Sequence, residues 1–297
     1  MKLPRIIALL VAPAAALSLA ACGGGSTAGI ANASGNTANV RFVNGTPGQG
    51  AFDVYFQSSG SAAPTTPLVS NVAYAVASDY LTQPAVAATI LVQVAGGPAP
   101  GGAAQRASCP IPQLASNGKY SIVIVSAQST LNCQLFQDFD YASAPQYRVH
   151  DASPNAGAIA AGGLGYGVIA ASNAPPGTPF SVQGTAAPGN LAATPGGSAQ
   201  SYTQVQPNAL TASAGSVTFA VGAATSGTPP SIATIDSKYV FAPNGTTQPN
   251  TSGVLNVAGT AGTSIFALDC TPGAIAAVPH AACSAGGTTL VGYTDRL

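Results

Sequence analysis

The chain has 297 residues, enough for one large domain or two ordinary ones. Only 5% are charged, all eight acidic residues are Asp, and the formal net charge is zero, so no basic surface exists to neutralise phosphates and nucleic-acid binding is disfavoured. Glu is absent and Lys, Arg and Met are scarce, which removes most strong helix formers; 35 Gly and 24 Pro punctuate runs rich in Val, Ile, Thr and Tyr, and the expected class is all-β.

The first stretch, "MKLPRIIALLVAPAAALSLAAC", has two basic residues and then an apolar run from Ile6 to Ala21. A spanning helix needs about 20 apolar residues, so this shorter run with small residues at its end reads as a cleaved export signal over 1–21. Leu19, Ala20 and Ala21 before Cys22 resemble the lipobox of bacterial lipoproteins, which implies diacylglycerol transfer to the Cys22 thiol and cleavage before it. Two or three acyl chains suffice for stable anchoring, so the membrane is an expected partner and the outer membrane, if one exists, the expected place. The Gly-rich polar tract over 22–37 reads as a flexible tether.

Next come two stretches that resemble one another, "VRFVNGTP" (Val40–Pro47) and "YRVHDASP" (Tyr147–Pro154). Arg41 aligns with Arg148, Asn44 with Asp151, Thr46 with Ser153 and Pro47 with Pro154. "ASDYLTQP" (Ala77–Pro84) resembles "AQSYTQVQP" (Ala199–Pro207), and the alternating runs "TILVQV" (Thr89–Val94) and "SVTFAV" (Ser216–Val221) follow them. "KYSIVIVS" (Lys119–Ser126) and "TSIFALDC" (Thr263–Cys270) complete the parallel. The pattern predicts two diverged copies of one unit, spanning 38–141 and 147–297 and joined by a short Pro-bearing linker over 142–146. Short alternating strands broken by Gly, Pro, Asn and Ser predict a β-sandwich for each copy, and an edge strand is expected around Phe180–Gln183.

The run "VRFVNGTP", "FDVYF", "NVAYAVASDYL" and "YSIVIV" resembles the family called domain of unknown function 4397, over roughly Ala38 to Tyr141. That resemblance implies a bacterial envelope or secreted protein, often in tandem, with immunoglobulin-like β-sandwiches and no assigned activity. In the second copy Ala160 falls where Asp53 would be, and "GGLGYGVIA" replaces the "DVY" strand.

Beyond Cys22, the cysteines Cys109, Cys133, Cys270 and Cys283 allow three connectivities. Neighbour pairing, Cys109–Cys133 and Cys270–Cys283, would put one disulfide in each copy; no C-x-x-C spacing or adjacent His supports a metal site instead.

"YRVHDASP" raises the question of a nucleophilic or metal site, because it holds His150, Asp151 and Ser153, in a chain with two His. In the first copy Val43, Asn44 and Thr46 stand in their places, so what persists is Asn/Asp-x-Thr/Ser-Pro, a strand running into a turn. Alternation puts Tyr147 and Val149 on one face and Arg148 and His150 on the other, expected to be the solvated one. His280 reads as a loop imidazole, Asp138 and Asp140 as charges on a solvated edge strand rather than a Ca²⁺ site, and Asp53 and Asp79 as residues with local hydrogen bonds. No nucleophile elbow, phosphate loop or zinc motif is present, so no catalytic residue, metal or cofactor is assigned. The expectation is a non-catalytic envelope module that binds polysaccharide or protein, with Tyr55, Tyr74, Tyr80 and Tyr166 as candidate stacking platforms. A periplasm-facing accessory lipoprotein is the alternative, and a hydrolase with an unrecognised site a remoter one.

Overall fold

The computed structural model describes residues 36–98, 100, 105–127, 130–138, 147–154, 163–171, 173–186, 190–191, 217–224, 227–239, 262–276 and 282–295. Residues 33–297 form one compact unit. The signal, Cys22, the 142–146 linker and His280 lie outside the described residues.

The fold is all-β, of sandwich type. In chain order the first half supplies β1 (Thr37–Asn44), β2 (Phe52–Ser58), β3 (Val69–Val72), β4 (Leu81–Pro84), β5 (Ala88–Val94), β6 (Gln105–Ile111), β7 (Lys119–Ala127) and β8 (Thr130–Asp138). The second supplies β9 (Tyr147–Ala152), β10 (Leu164–Ile169), β11 (Gly184–Ala186), β12 (Asn190–Leu191), β13 (Thr218–Ala223), β14 (Ser231–Asp236), β15 (Gly262–Asp269) and β16 (Thr288–Asp295). A four-residue helix, α1 (Pro272–Ile275), starts on Thr271, whose Oγ1 accepts from the Ala274 amide.

Four sheets result. The outer sheet of the first half has the order β3-β2-β5-β6, and its counterpart in the second half β11-β10-β13-β14. The inner sheets are β12-β8-β7-β1-β4 and β16-β15-β9. The correspondence extends to strand direction: β1 runs parallel to β7 and β9 parallel to β15, whereas β7–β8 and β15–β16 are antiparallel. It also extends to register, since Arg41 lies opposite Ser121 as Arg148 lies opposite Ser264. A strand of the second half also joins a sheet of the first: β12 adds to the edge of β8, with Asn190 opposite Leu135.

Three hydrophobic layers hold these sheets. Val40, Phe42, Ile122 and Ile124 of the first inner sheet pack on Phe52, Val54, Ile90 and Val92 of its outer sheet. Tyr147, Val149, Ile265 and Ala267 pack in the same way on Leu164, Tyr166, Phe219 and Val221. A third layer joins the two inner sheets, with Val43, Val123, Val125 and Phe136 against Ala152, Phe266, Leu268, Val291 and Tyr293. The inner strands are therefore buried on both faces, which explains why they read as nearly continuous apolar runs.

The second half differs most at its outer sheet. A Cβ on Gly167 would sit 2.2 Å from the Ser181 carbonyl oxygen, and one on Gly184 2.5 Å from the Tyr166 ring, so the glycines let neighbouring chain cross close over β10. Phe180 is buried there, but the edge strand starts later than Phe180–Gln183: Pro179 makes an isolated bridge to Pro230 and the ladder begins at Gly184. The Phe180 amide is drawn to the Pro229 carbonyl instead of a β10 partner.

The cysteines pair as neighbours, Cys109–Cys133 and Cys270–Cys283, at Cα separations of 5.8 and 5.7 Å. The first joins β6 to β8 and so ties an outer to an inner sheet; the second closes the loop between β15 and β16.

Candidate functional site

Alternation on the inner strands sends Val40 and Phe42 into the first sandwich and Arg41 and Val43 toward the second inner sheet. The same alternation on β9 sends Arg148 and His150 toward the first. Two guanidinium groups thus meet between the inner sheets, with Asp138 at the end of β8 and Asp295 at the end of β16 beside them.

Asp295 is the bridge. Its Oδ1 lies 2.7 Å from Arg41 Nη1 and its Oδ2 2.8 Å from Arg148 Nη2. Serines take further guanidinium donors. Arg41 Nε donates to Ser121 Oγ at 2.6 Å and its Nη2 to Ser264 Oγ at 2.6 Å, while Arg148 Nε donates to Ser264 Oγ at 2.8 Å. Ser264 Oγ in turn donates to Asp295. Asp138 lies 3.6 Å from Arg41 and 3.7 Å from Arg148, accepts from the Tyr80 hydroxyl at 2.7 Å and from Ser121, and is 2.8 Å from His150 Nε2. Aromatic rings close the walls: the Arg41 guanidinium lies over Tyr80 and Phe266, and the His150 ring stacks on Phe266 at 4.3 Å and meets Phe136 edge-on.

Burial sets the protonation states. Loss of water would raise both carboxyls, but Arg148 and Arg41 outweigh it, holding Asp138 well below and Asp295 below the usual carboxylate value. For His150 burial dominates and, with the two guanidiniums, lowers its pKa despite Asp138. His150 is therefore neutral at neutral pH, with Nε2–H donating to the Asp138 carboxylate. Such a cluster fixes one arrangement of the two sheets, with each of its charges beside an opposite partner.

Several sequence expectations need correction here. Arg148 and His150 do not face solvent, being 7% and 0% exposed, because a second sheet covers the face that a lone sandwich would leave wet. Asp138, 3% exposed, is not an edge-strand charge in water. Tyr55 and Tyr166 are buried, and Tyr74 and Tyr80 spend their hydroxyls on the Asp269 carbonyl and on Asp138, so these four do not form an open stacking surface. Asp53 makes local bonds, accepting from the Asn71 and Gly96 amides at 2.8 and 2.9 Å. Asp140 falls outside the described residues.

The strand-to-turn reading of the repeated motif holds in the first half, where Asn44 Oδ1 accepts from the Thr46 amide at 3.0 Å and from its hydroxyl at 2.6 Å. In the second half the motif is wired differently: Ser153 Oγ bonds Asp269. His150 is directed to Asp138, away from Ser153, so the three residues of "HDAS" do not converge as nucleophile, base and orienter. Among the described residues no group of three or more His, Cys, Asp or Glu is placed to hold a metal, and no helix is long and apolar enough to cross a membrane.

The sequence gives little direct sign of the charge cluster. Its signal is the repeat itself: Arg, Ser and Asp recur at matching strand positions in both halves, Arg41, Ser121 and Asp138 against Arg148, Ser264 and Asp295.

Comparison with known proteins gives limited context. No curated protein matches the chain. A solved structure titled "Alpha-glucan binding by a streptococcal virulence factor" aligns with 78% of this chain and 92% of its own at 12% identity, with a TM-score of 0.20, too low for any argument to rest on it. Residues 38–161, the first half of the body together with β9, are similar to the profile of the family described as "Domain of unknown function (DUF4397)".

Proposed function

We propose that the chain is a non-catalytic, lipid-anchored protein of the bacterial envelope, whose all-β body acts as a structural or binding module for an uncharged polysaccharide or a protein. The observation that carries this reading is the central cluster. His150, Arg41, Arg148, Ser121, Ser264, Asp138 and Asp295, residue types that catalysis would recruit, are turned inward between two sheets and bonded to one another. Their bonds join the halves. The chain carries few charges and is rich in Ser, Thr, Asn and Gly, a composition suited to adaptable hydrogen bonding. Lipidation at Cys22, after Leu19-Ala20-Ala21, would tether the body through the Gly-rich tract.

Fractionation of cells carrying Cys22→Ala tests the anchor: the variant is expected in the soluble fraction and the parent in the membrane, and equal membrane association of both refutes lipidation. Protease added to intact cells then separates display at the surface, where the body is digested, from a periplasm-facing accessory role, where it is protected. Turnover of an ester or glycoside panel that disappears in His150→Ala would contradict the non-catalytic assignment.

A further inference from the structure

The two halves part company where the first inner strand of each runs into its turn. In the first half the end of β1 is neutral. Asn44 is fully buried and satisfied: its amide nitrogen donates to the Gly50 and Val72 carbonyls, both at 3.0 Å, and its oxygen accepts from Thr46. In the second half Asp151 takes the equivalent place on β9, opposite Ala267 of β15. Two positions further along β15, on the same face, stands Asp269, itself opposite Thr288 of β16. Ser153 bonds the Asp269 carboxylate and lies 3.2 Å from Thr288 Oγ1. Four oxygen-bearing side chains, two of them carboxylates, therefore share one end of the second sandwich.

Asp151 lacks what Asn44 has. It is 1% exposed, and neither of its carboxylate oxygens has a hydrogen-bond partner. Burial raises its pKa to about 7, opposed by the nearby Ser153 amide, which is not placed to satisfy either oxygen, and reinforced by the Asp269 charge. A buried carboxylate near a second negative charge is stabilised by taking up a proton or a cation.

We propose that Asp151 and Asp269, with the Ser153 and Thr288 hydroxyls, form a binding site for a hard divalent cation, Ca²⁺ before Mg²⁺. All four donors are oxygens, which excludes the softer metals, and Ca²⁺ accepts an irregular set completed by water, whereas Mg²⁺ demands an octahedron. Two carboxylates make a weak site, with a Kd of about 0.1–1 mM, in the range of extracellular modules. The inference is independent of the proposed function.

The test uses the chain as purified from its signal-processed form, stripped of metal. Tb³⁺ replaces Ca²⁺ as a luminescent probe, and Tyr74, whose hydroxyl donates to the Asp269 carbonyl at 2.6 Å, is a sensitiser in a chain with no Trp. Tyrosine-sensitised Tb³⁺ emission that Ca²⁺ competes away at about millimolar concentration is expected, with a Ca²⁺-dependent rise in Tm of about 3 °C at ten times Kd. Asp151→Asn installs the residue the first half uses and should fold; it should lose both signals, as should Asp269→Asn. Parent protein that shows neither emission nor a Tm shift would mean that Asp151 is simply protonated and would overturn the proposal, as would unchanged binding by both variants.

Discussion

The halves of the body agree at their centre and differ at their ends. Where the inner sheets meet, Arg41, Ser121 and Asp138 from one half interlock with Arg148, Ser264 and Asp295 from the other, and Phe136 on β8 lies opposite Ser121 as Tyr293 on β16 lies opposite Ser264. Away from that plane, Asn44 faces two carbonyls in one half while Asp151 faces a second carboxylate in the other. A glycine-poor β2 stands against a β10 crossed closely by its own loop. Strand order and register are thus compatible with very different chemistry at strand ends, provided that the shared interface is kept.

The largest expected effect strikes that interface. Arg41→Leu leaves Asp295 and Asp138 each with one guanidinium in place of two, so urea unfolding should show a loss of about 3–5 kcal/mol. Arg148→Leu should cost nearly as much, because its role is the mirror of Arg41; a loss from only one of the two would break the equivalence. Next are the disulfides, where the halves should differ. Each closed loop is worth about 3 kcal/mol on the chain-entropy account, a little more for the Cys109–Cys133 loop. Because that bond also ties an outer to an inner sheet, Cys109→Ala with Cys133→Ala should lower Tm more than the corresponding change at Cys270 and Cys283.

Proton linkage sharpens the contrast between ends and centre. Asp138 and Asp295 titrate lower folded than unfolded, so the stability they confer is present above about pH 4 and is lost as pH falls through their folded values. His150 also titrates lower folded, and its contribution begins to be lost as pH drops below about 6.5. Asp151 has the opposite sign: raised to about 7, it penalises the metal-free fold as pH climbs from about 4 through 7. Without metal, Asp151→Asn should match the parent near pH 4 and exceed it at pH 8, the gap widening by up to about 1.4 kcal/mol per pH unit between. A constant gap in thermal melts across that range would contradict the burial of an ionisable pair. The smallest effect belongs to Tyr80→Phe, which removes the bond its hydroxyl donates to Asp138 and the one it accepts from Arg148 while keeping the ring over Arg41, for about 1–2 kcal/mol.

Much of this architecture was legible in the sequence and part of it was not, for one physical reason. Period-two alternation in "TILVQV" and "KYSIVIVS" identifies strands, and the Asn44–Thr46 turn follows from local bonding that any Asx-x-Thr-Pro can make. Neighbour pairing of the cysteines was one of three open choices, and the geometry selects it. Alternation reports that Arg148 and His150 lie on the face opposite Tyr147, but it does not say what covers that face. A single sandwich would leave it to water; here another inner sheet covers it, and the polar residues become a buried network. The Asp138 environment was missed for the same reason, since its partners come from β1, β7, β9 and the segment before β4.

Hydrogen exchange on Arg41→Leu tests most directly the claim that the charged centre makes one body of two sandwiches. Protection should fall by the same factor in β5, an outer strand of the first half, and in β13, its counterpart in the second, because the halves would unfold as a unit. Loss of protection confined to β5 and its neighbours, with β13 unchanged, would mean that the sandwiches are independently stable and that the cluster between them is not what joins them.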